Sequence, residues 1–221
     1  MIATSRAPRG LLFALMGALL IARPAAAQED RRLDRLAPDT RALVAPVMDS
    51  ARVQGLPVEP LVERALEGTS KRASPELIAR VVRRLAGDLA NARQALGPDA
   101  SPEALAAGAD ALHAGVTTAL LQRIARSLGG RRLAVPLAVL ADLTARGVPA
   151  DTAATLTLAR ARSTSDADLL ALERDVERDI ALGAAPLAAT ADRLGSTNSP
   201  ATSDLSATGT SQPAPPKPHK P

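Results

Sequence analysis

The sequence has no Cys, no Trp and no Tyr, and its single Phe, Phe13, lies in an apolar N-terminal run. Without Cys there is no disulfide, no thiol nucleophile and no thiolate ligand for a metal. Without rings beyond Phe13 there is no platform on which a base, a sugar or a proline-rich ligand could stack. Histidine is also scarce, with two in the chain. His219 lies among prolines, so His113 is the one imidazole of the body. No H-E-x-x-H pattern accompanies it, and no metal site or cofactor is expected. Phosphate-cradling glycine loops, dinucleotide fingerprints and the G-x-S-x-G elbow are missing as usable sites, and no catalytic set stands out.

Charge of one sign is lacking too. The chain has 27 Lys and Arg against 23 Asp and Glu. Residues 1–27 contain three Arg and no acid, which leaves 24 against 23 beyond them. Residues 195–221 contain Lys217, Lys220 and Asp204, so residues 28–194 balance at 22 against 22. A neutral body argues against nucleic-acid binding, which needs clustered positive charge.

What is present begins with a targeting pattern. Arg6 and Arg9 precede an apolar run over residues 10–22, followed by Arg23-Pro24 and Ala25-Ala26-Ala27. A basic start, a short apolar stretch and a small-residue site predict a secretory signal peptide over residues 1–27, cut after Ala27. The run is too short for a membrane span, which needs about 20 residues. The expected location is periplasmic or secreted.

The rest reads as helices separated by glycine and proline. Ser74-Pro75-Glu76 and Ser101-Pro102-Glu103 each supply a capping hydroxyl, a proline at the first helical position and an acid in the first turn. From the first of these, Ile78, Val82, Leu85, Leu89, Ala92 and Leu96 form one apolar stripe. Leu105, Ala109, Leu112 and Val116 form another, continued by Leu120, Ile124 and Leu128, with Gly115 either breaking the run or lying inside it. Asp39-Thr40 is the expected cap of an earlier helix reaching Gln54, and residues 68–73 are expected to make a turn. Leu133, Leu137, Leu140 and Leu143 mark a later helix, and residues 150–162 a weaker one. Ser165 with Asp168 resembles a capping box ahead of Leu169, Leu172, Val176 and Ile180. On that last helix Arg174–Glu177 and Asp175–Arg178 are spaced to pair outside.

Two junctions match chemically. Gly55-Leu56-Pro57 and Gly147-Val148-Pro149 each follow a helical run and precede a carboxylate, Glu59 or Asp151. Glycine suits the left-handed position past a helix end, and the next aliphatic residue folds back onto the last turn. Glycine stops at 55, 97, 147 and 183 lie 42, 50 and 36 residues apart, about one helical hairpin per interval. The expected fold is all-α: stacked antiparallel helical hairpins, either an irregular bundle or a short α-solenoid-like array. Residues 28–194 form the helical domain. Residues 195–221, rich in Pro, Ser and Thr, are expected to be a disordered tail because they cannot bury enough apolar surface to offset ordering.

The function this predicts is a non-enzymatic exported module for protein–protein interaction or structural support in a bacterial-type envelope, with an unidentified protein partner. Two alternatives stand beside it. One is a hydrolase-like enzyme assembled around His113, which needs a carboxylate and a hydroxyl within hydrogen-bond reach. The other is an anionic-surface or lipid-binding module using Arg80, Arg83 and Arg84.

Overall fold

A computed structural model describes residues 31–129 and 133–198, so the signal peptide expected at 1–27 and the tail beyond 198 lie outside the described residues. The fold is all-α. The helices are α1 (Pro38–Val53), α2 (Glu59–Ser70), α3 (Pro75–Leu96), α4 (Pro102–His113), α5 (Thr118–Leu128), α6 (Ala134–Ala145), α7 (Ala150–Ala161), α8 (Asp166–Ala181) and α9 (Pro186–Asn198). No strand occurs among the described residues.

Helix starts follow the capping chemistry. Ser74, Ser101 and Thr117 each accept a hydrogen bond from the backbone amide three residues on. Ser165 and Asp168 form a reciprocal capping box. Each such cap contributes about 1 kcal/mol. Thr117 also decides the fate of Gly115: the apolar run is two helices, α4 ending at His113 and α5 starting at Thr118.

The matched junctions are built alike. Gly55 has φ 67° and Gly147 φ 91°, a region in which a Cβ clashes. The Leu56 amide donates to the Ala51 carbonyl at 2.9 Å and the Val148 amide to the Leu143 carbonyl at 3.0 Å. Both aliphatic side chains are buried under the turn they close. Arg93 of α3 then donates to the Gly55 carbonyl at 2.7 Å, tying the first junction to its neighbour. The proline roles differ slightly: Pro149 is the residue just before α7, whereas Pro57 stays outside α2 and Pro60 takes an early helical position.

Two expected boundaries are corrected. Asp39-Thr40 does not cap α1; the helix starts at Pro38, Thr40 is buried and Pro46 lies inside it. The turn expected at 68–73 starts later, because α2 runs through Gly68 to Ser70 and the left-handed residue is Arg72, with φ 58°. Gly68 is there for packing. A Cβ on it would meet Ile78 Cγ1 at 2.7 Å. The last helix also carries on past Leu194, where the composition changes.

Helices contact their second neighbours along the chain: α1 with α3, α3 with α5, α5 with α7 and α7 with α9, and likewise α4 with α6 and α6 with α8. Odd helices thus stack as one layer, and α4, α6 and α8 stack as the other. The α2–α3, α3–α4, α6–α7 and α8–α9 contacts join consecutive helices as hairpins. The most extensive packing is of α4 against α6 and α3. Gly108 permits it, since a Cβ there would lie 3.1 Å from both Ala92 Cβ and Leu96 Cδ1. One apolar cluster spans Leu33 to Ala109 and a second spans Ala107 to Ala189, and Leu96 and Leu112 pack against both. With no aromatic residue, this core is aliphatic and Ala-rich. Its Ala positions let helices approach closely and leave the shallow surfaces from which the site is made.

Candidate functional site

The site grows from the α6–α8 contact. Glu173 and Glu177 are one turn apart on α8, beside the buried Leu172 and Val176, so they point along the edge of the packed face. Asp142, in the last turn of α6, and Arg146, its C-cap, are one turn apart. The contact brings Asp142, Glu173 and Glu177 together with carboxylate oxygens all within 4.8 Å of one another. Arg146 Nε donates to Asp142 Oδ2 at 3.1 Å, and its Nη2 pairs with Glu177. Glu177 therefore serves α6, not Arg174 as the spacing suggested. The pairing expected between Asp175 and Arg178 is present at 2.8 Å.

Three carboxylates around one guanidinium cannot all ionise freely. Burial pushes the Glu173 carboxyl up to about 7, helped by its hydrogen bond to Asp142 and the negative charges of Asp142 and Glu177, with Arg146 opposing. Glu177 is raised first by its hydrogen bond to Asp142 and then by burial. Burial also works against ionisation of Asp142. Hydrogen bonds from Glu177, Glu173 and Arg146 outweigh it and lower that carboxyl. A proton held on Glu173 is thus donated to Asp142, while Glu177 keeps its pairing with Arg146. These three carboxylates are also the grouping among the described residues that could hold a cation, and Arg146 already supplies one positive charge there.

Above this cluster lies a hollow of about 400 Å³, bounded by α4, α6 and Glu173 of α8. Ala138, Ala141 and Ala145 form its floor, and Asp110, His113 and Asp142 its polar rim. A second hollow, of about 320 Å³, continues towards α2 with Glu63, Arg64 and Glu67, and Asp110 borders both. Burial raises the Asp110 carboxyl, while Arg64 and then His113 draw it back.

His113 stands at the rim, with a side chain 63% exposed and Nδ1 3.8 Å from Asp88 Oδ2, beyond hydrogen-bond distance. None of the residues around its hollow carries a hydroxyl. The hollow beside His113 thus supplies carboxylates but no hydroxyl. A further hollow, of about 580 Å³, lies by the α3–α4 turn. Its Ser101 caps α4, and Glu103 is lowered by its own backbone amide and by Ser101, so both already serve the helix start.

Arg80, Arg83 and Arg84 lie apart from this trough, exposed on α3 and without an ion-pair partner among the described residues. Asp151, with no partner evident from spacing, meets Arg123 of α5 at 2.9 Å. Sequence reasoning missed the Asp142–Arg146–Glu173–Glu177 cluster. Its signal was two i, i+4 pairs on separate helices, each beside inward-facing residues, and only the α6–α8 contact makes them one site. Comparison with known proteins places no relative beside this chain: no family model, no curated protein and no solved structure matches it.

Proposed function

We propose that this protein is an exported, non-enzymatic helical module that docks another protein in a bacterial-type envelope, and that its stacked hairpins are repeat-derived. The observation that carries the reading is the trough: two hollows meeting at Asp110, lined by α2, α4, α6 and α8 together with Leu85 of α3. Stacked helical hairpins offer extended surfaces of this kind for binding. The matched junctions at Gly55 and Gly147 support the repeat origin. The basic and apolar start of the chain, with its Ala25-Ala26-Ala27 site, supports export. No helix among the described residues is long and apolar enough to cross a membrane.

Site-directed photocrosslinking in the native envelope tests this. A photoreactive residue at Ala138, in the trough, is expected to give a discrete adduct with another protein. The same residue at Val53, which is 89% exposed at the end of α1, is expected to give none. Absence of an adduct from Ala138, or the same adducts from both positions, would reject the trough as the docking face.

A further inference from the structure

The outer face of α3 carries charge and apolar surface that nothing in the fold uses. Residues 71–87 contain five Lys or Arg and one acid, Glu76. Lys71 is paired with Glu67 at 2.6 Å. Arg72, Arg80, Arg83 and Arg84 are exposed and have no ion-pair partner among the described residues. Several arginines elsewhere are matched: Arg64 with Glu67, Arg123 with Asp151, Arg146 with Asp142 and Arg193 with Asp179. On α3 the cations are spaced i, i+3 and i, i+4, where like charges repel. An external anion relieves that repulsion.

Aliphatic groups lie among these cations. Leu77 is 45% exposed and Val81 37%, each one turn from an arginine on the same side of the helix. With Ile78 they line a hollow of about 210 Å³. Further along, Gly87 has no atom within 4 Å of the place a Cβ would take, so the space beside the helix stays open beyond Arg84. Anionic headgroups beside acyl chains match this mixture of unpaired cations and exposed aliphatics. A purely acidic segment supplies the anions but no apolar surface for Leu77 and Val81.

We propose that the outer face of α3 is a docking surface for an anionic lipid bilayer, with Arg80, Arg83 and Arg84 on the lipid phosphates and Leu77 and Val81 among the outermost acyl carbons. The hollow beside Leu77 and Val81 shares Arg64 and Glu67 with the α2 end of the trough, whereas the end between α4, α6 and α8 is lined by other residues, so a module seated on a membrane keeps that end for a protein. Each basic side chain near an anionic surface contributes about a five-fold gain in binding. Partial burial of two aliphatic side chains adds on the order of ten-fold.

Co-sedimentation with vesicles tests it, using the chain from Gln28, which keeps every residue of both apolar clusters and lacks the N-terminal apolar run. Vesicles are phosphatidylcholine alone, or phosphatidylcholine with an equal part of phosphatidylglycerol. Binding is expected to the phosphatidylglycerol vesicles only, and to weaken between about 0.05 and 0.5 M salt. The R80Q/R83Q/R84Q variant should lose on the order of 100-fold. L77S/V81S should lose on the order of ten-fold. Far-ultraviolet circular dichroism establishes that each variant is folded. Three outcomes overturn the proposal: no binding to phosphatidylglycerol vesicles at low salt, undiminished binding by the arginine variant, or binding of poly-glutamate without vesicle binding, which reassigns the face to an acidic protein.

Discussion

Gly68 of α2 and Ile78 of α3 are packed so closely that a methyl group on the glycine would lie 2.7 Å from Ile78 Cγ1 and 3.3 Å from Cδ1. Ile78 is buried, and Cγ1 lies next to the main chain, so its branch gives way only by leaving its rotamer. Alanine in a helix interior is normally favoured over glycine by about 1 kcal/mol. Overpacking costs about 1–3 kcal/mol. Gly68→Ala is therefore expected to destabilise by about 1 kcal/mol in urea unfolding. In an Ile78→Ala background the same change should stabilise by about 1 kcal/mol, a coupling that a double-mutant cycle reads directly. Stabilisation in the unaltered protein would mean that α2 and α3 are not this close.

Two other glycines are expected to respond in opposite directions. Gly87 lies inside α3 with open space around it and no left-handed φ, so Gly87→Ala should raise stability by about 1 kcal/mol. Gly147 also has room, its nearest neighbour being Pro186 Cγ at 3.6 Å, but its φ is 91°. The cost of Gly147→Ala is conformational, about 1–2 kcal/mol. Thermal unfolding should separate the two variants by several degrees, since about 1 kcal/mol moves the midpoint of a chain this size by about 2–4 °C.

Leu96, at the end of α3, packs against both apolar clusters. Truncating it loosens a contact shared by the two halves. Leu96→Ala is expected to cost about 2 kcal/mol, and amide exchange should quicken in both α1 and α8. Acceleration confined to one half would show that the clusters open independently.

The fold was legible where local chemistry decides it. Serine–proline–acid starts at 74 and 101, the box at Ser165 and the stops at Gly55 and Gly147 are all settled within a few residues. The errors arise where a distant contact overrides the local preference. Gly68 resembles a turn residue but remains helical because Ile78 needs the space. Asp39 and Thr40 resemble a cap, yet Thr40 is buried on the inner face of α1. The site was less legible for the same reason. Glu177 is spaced to pair with Arg174 on its own helix, and only tertiary packing hands it to Arg146.

That packing makes stability depend on pH in an unusual direction. The Glu173 carboxyl sits at about 7 in the folded protein, above its ordinary value of 4.5. Between those values the folded state holds a proton that the unfolded chain releases, so stability falls as pH rises through the window. Glu177 and Asp110, both raised, act in the same direction. Asp142 is lowered, so its contribution is present above 3.8 and fades as pH falls below that value. The network is therefore most stabilising near pH 4.5 and weakest above 7. Allowing for solvent screening of partly exposed groups, the loss is on the order of 1–2 kcal/mol. Glu173→Gln keeps a hydrogen-bond donor for Asp142 without a charge. It should flatten most of the slope, leaving the smaller part due to Glu177 and Asp110, and should raise stability at pH 8. Urea midpoints at about pH 4.5, 6 and 8 for both proteins check this. Equal slopes would place the proton elsewhere than on Glu173.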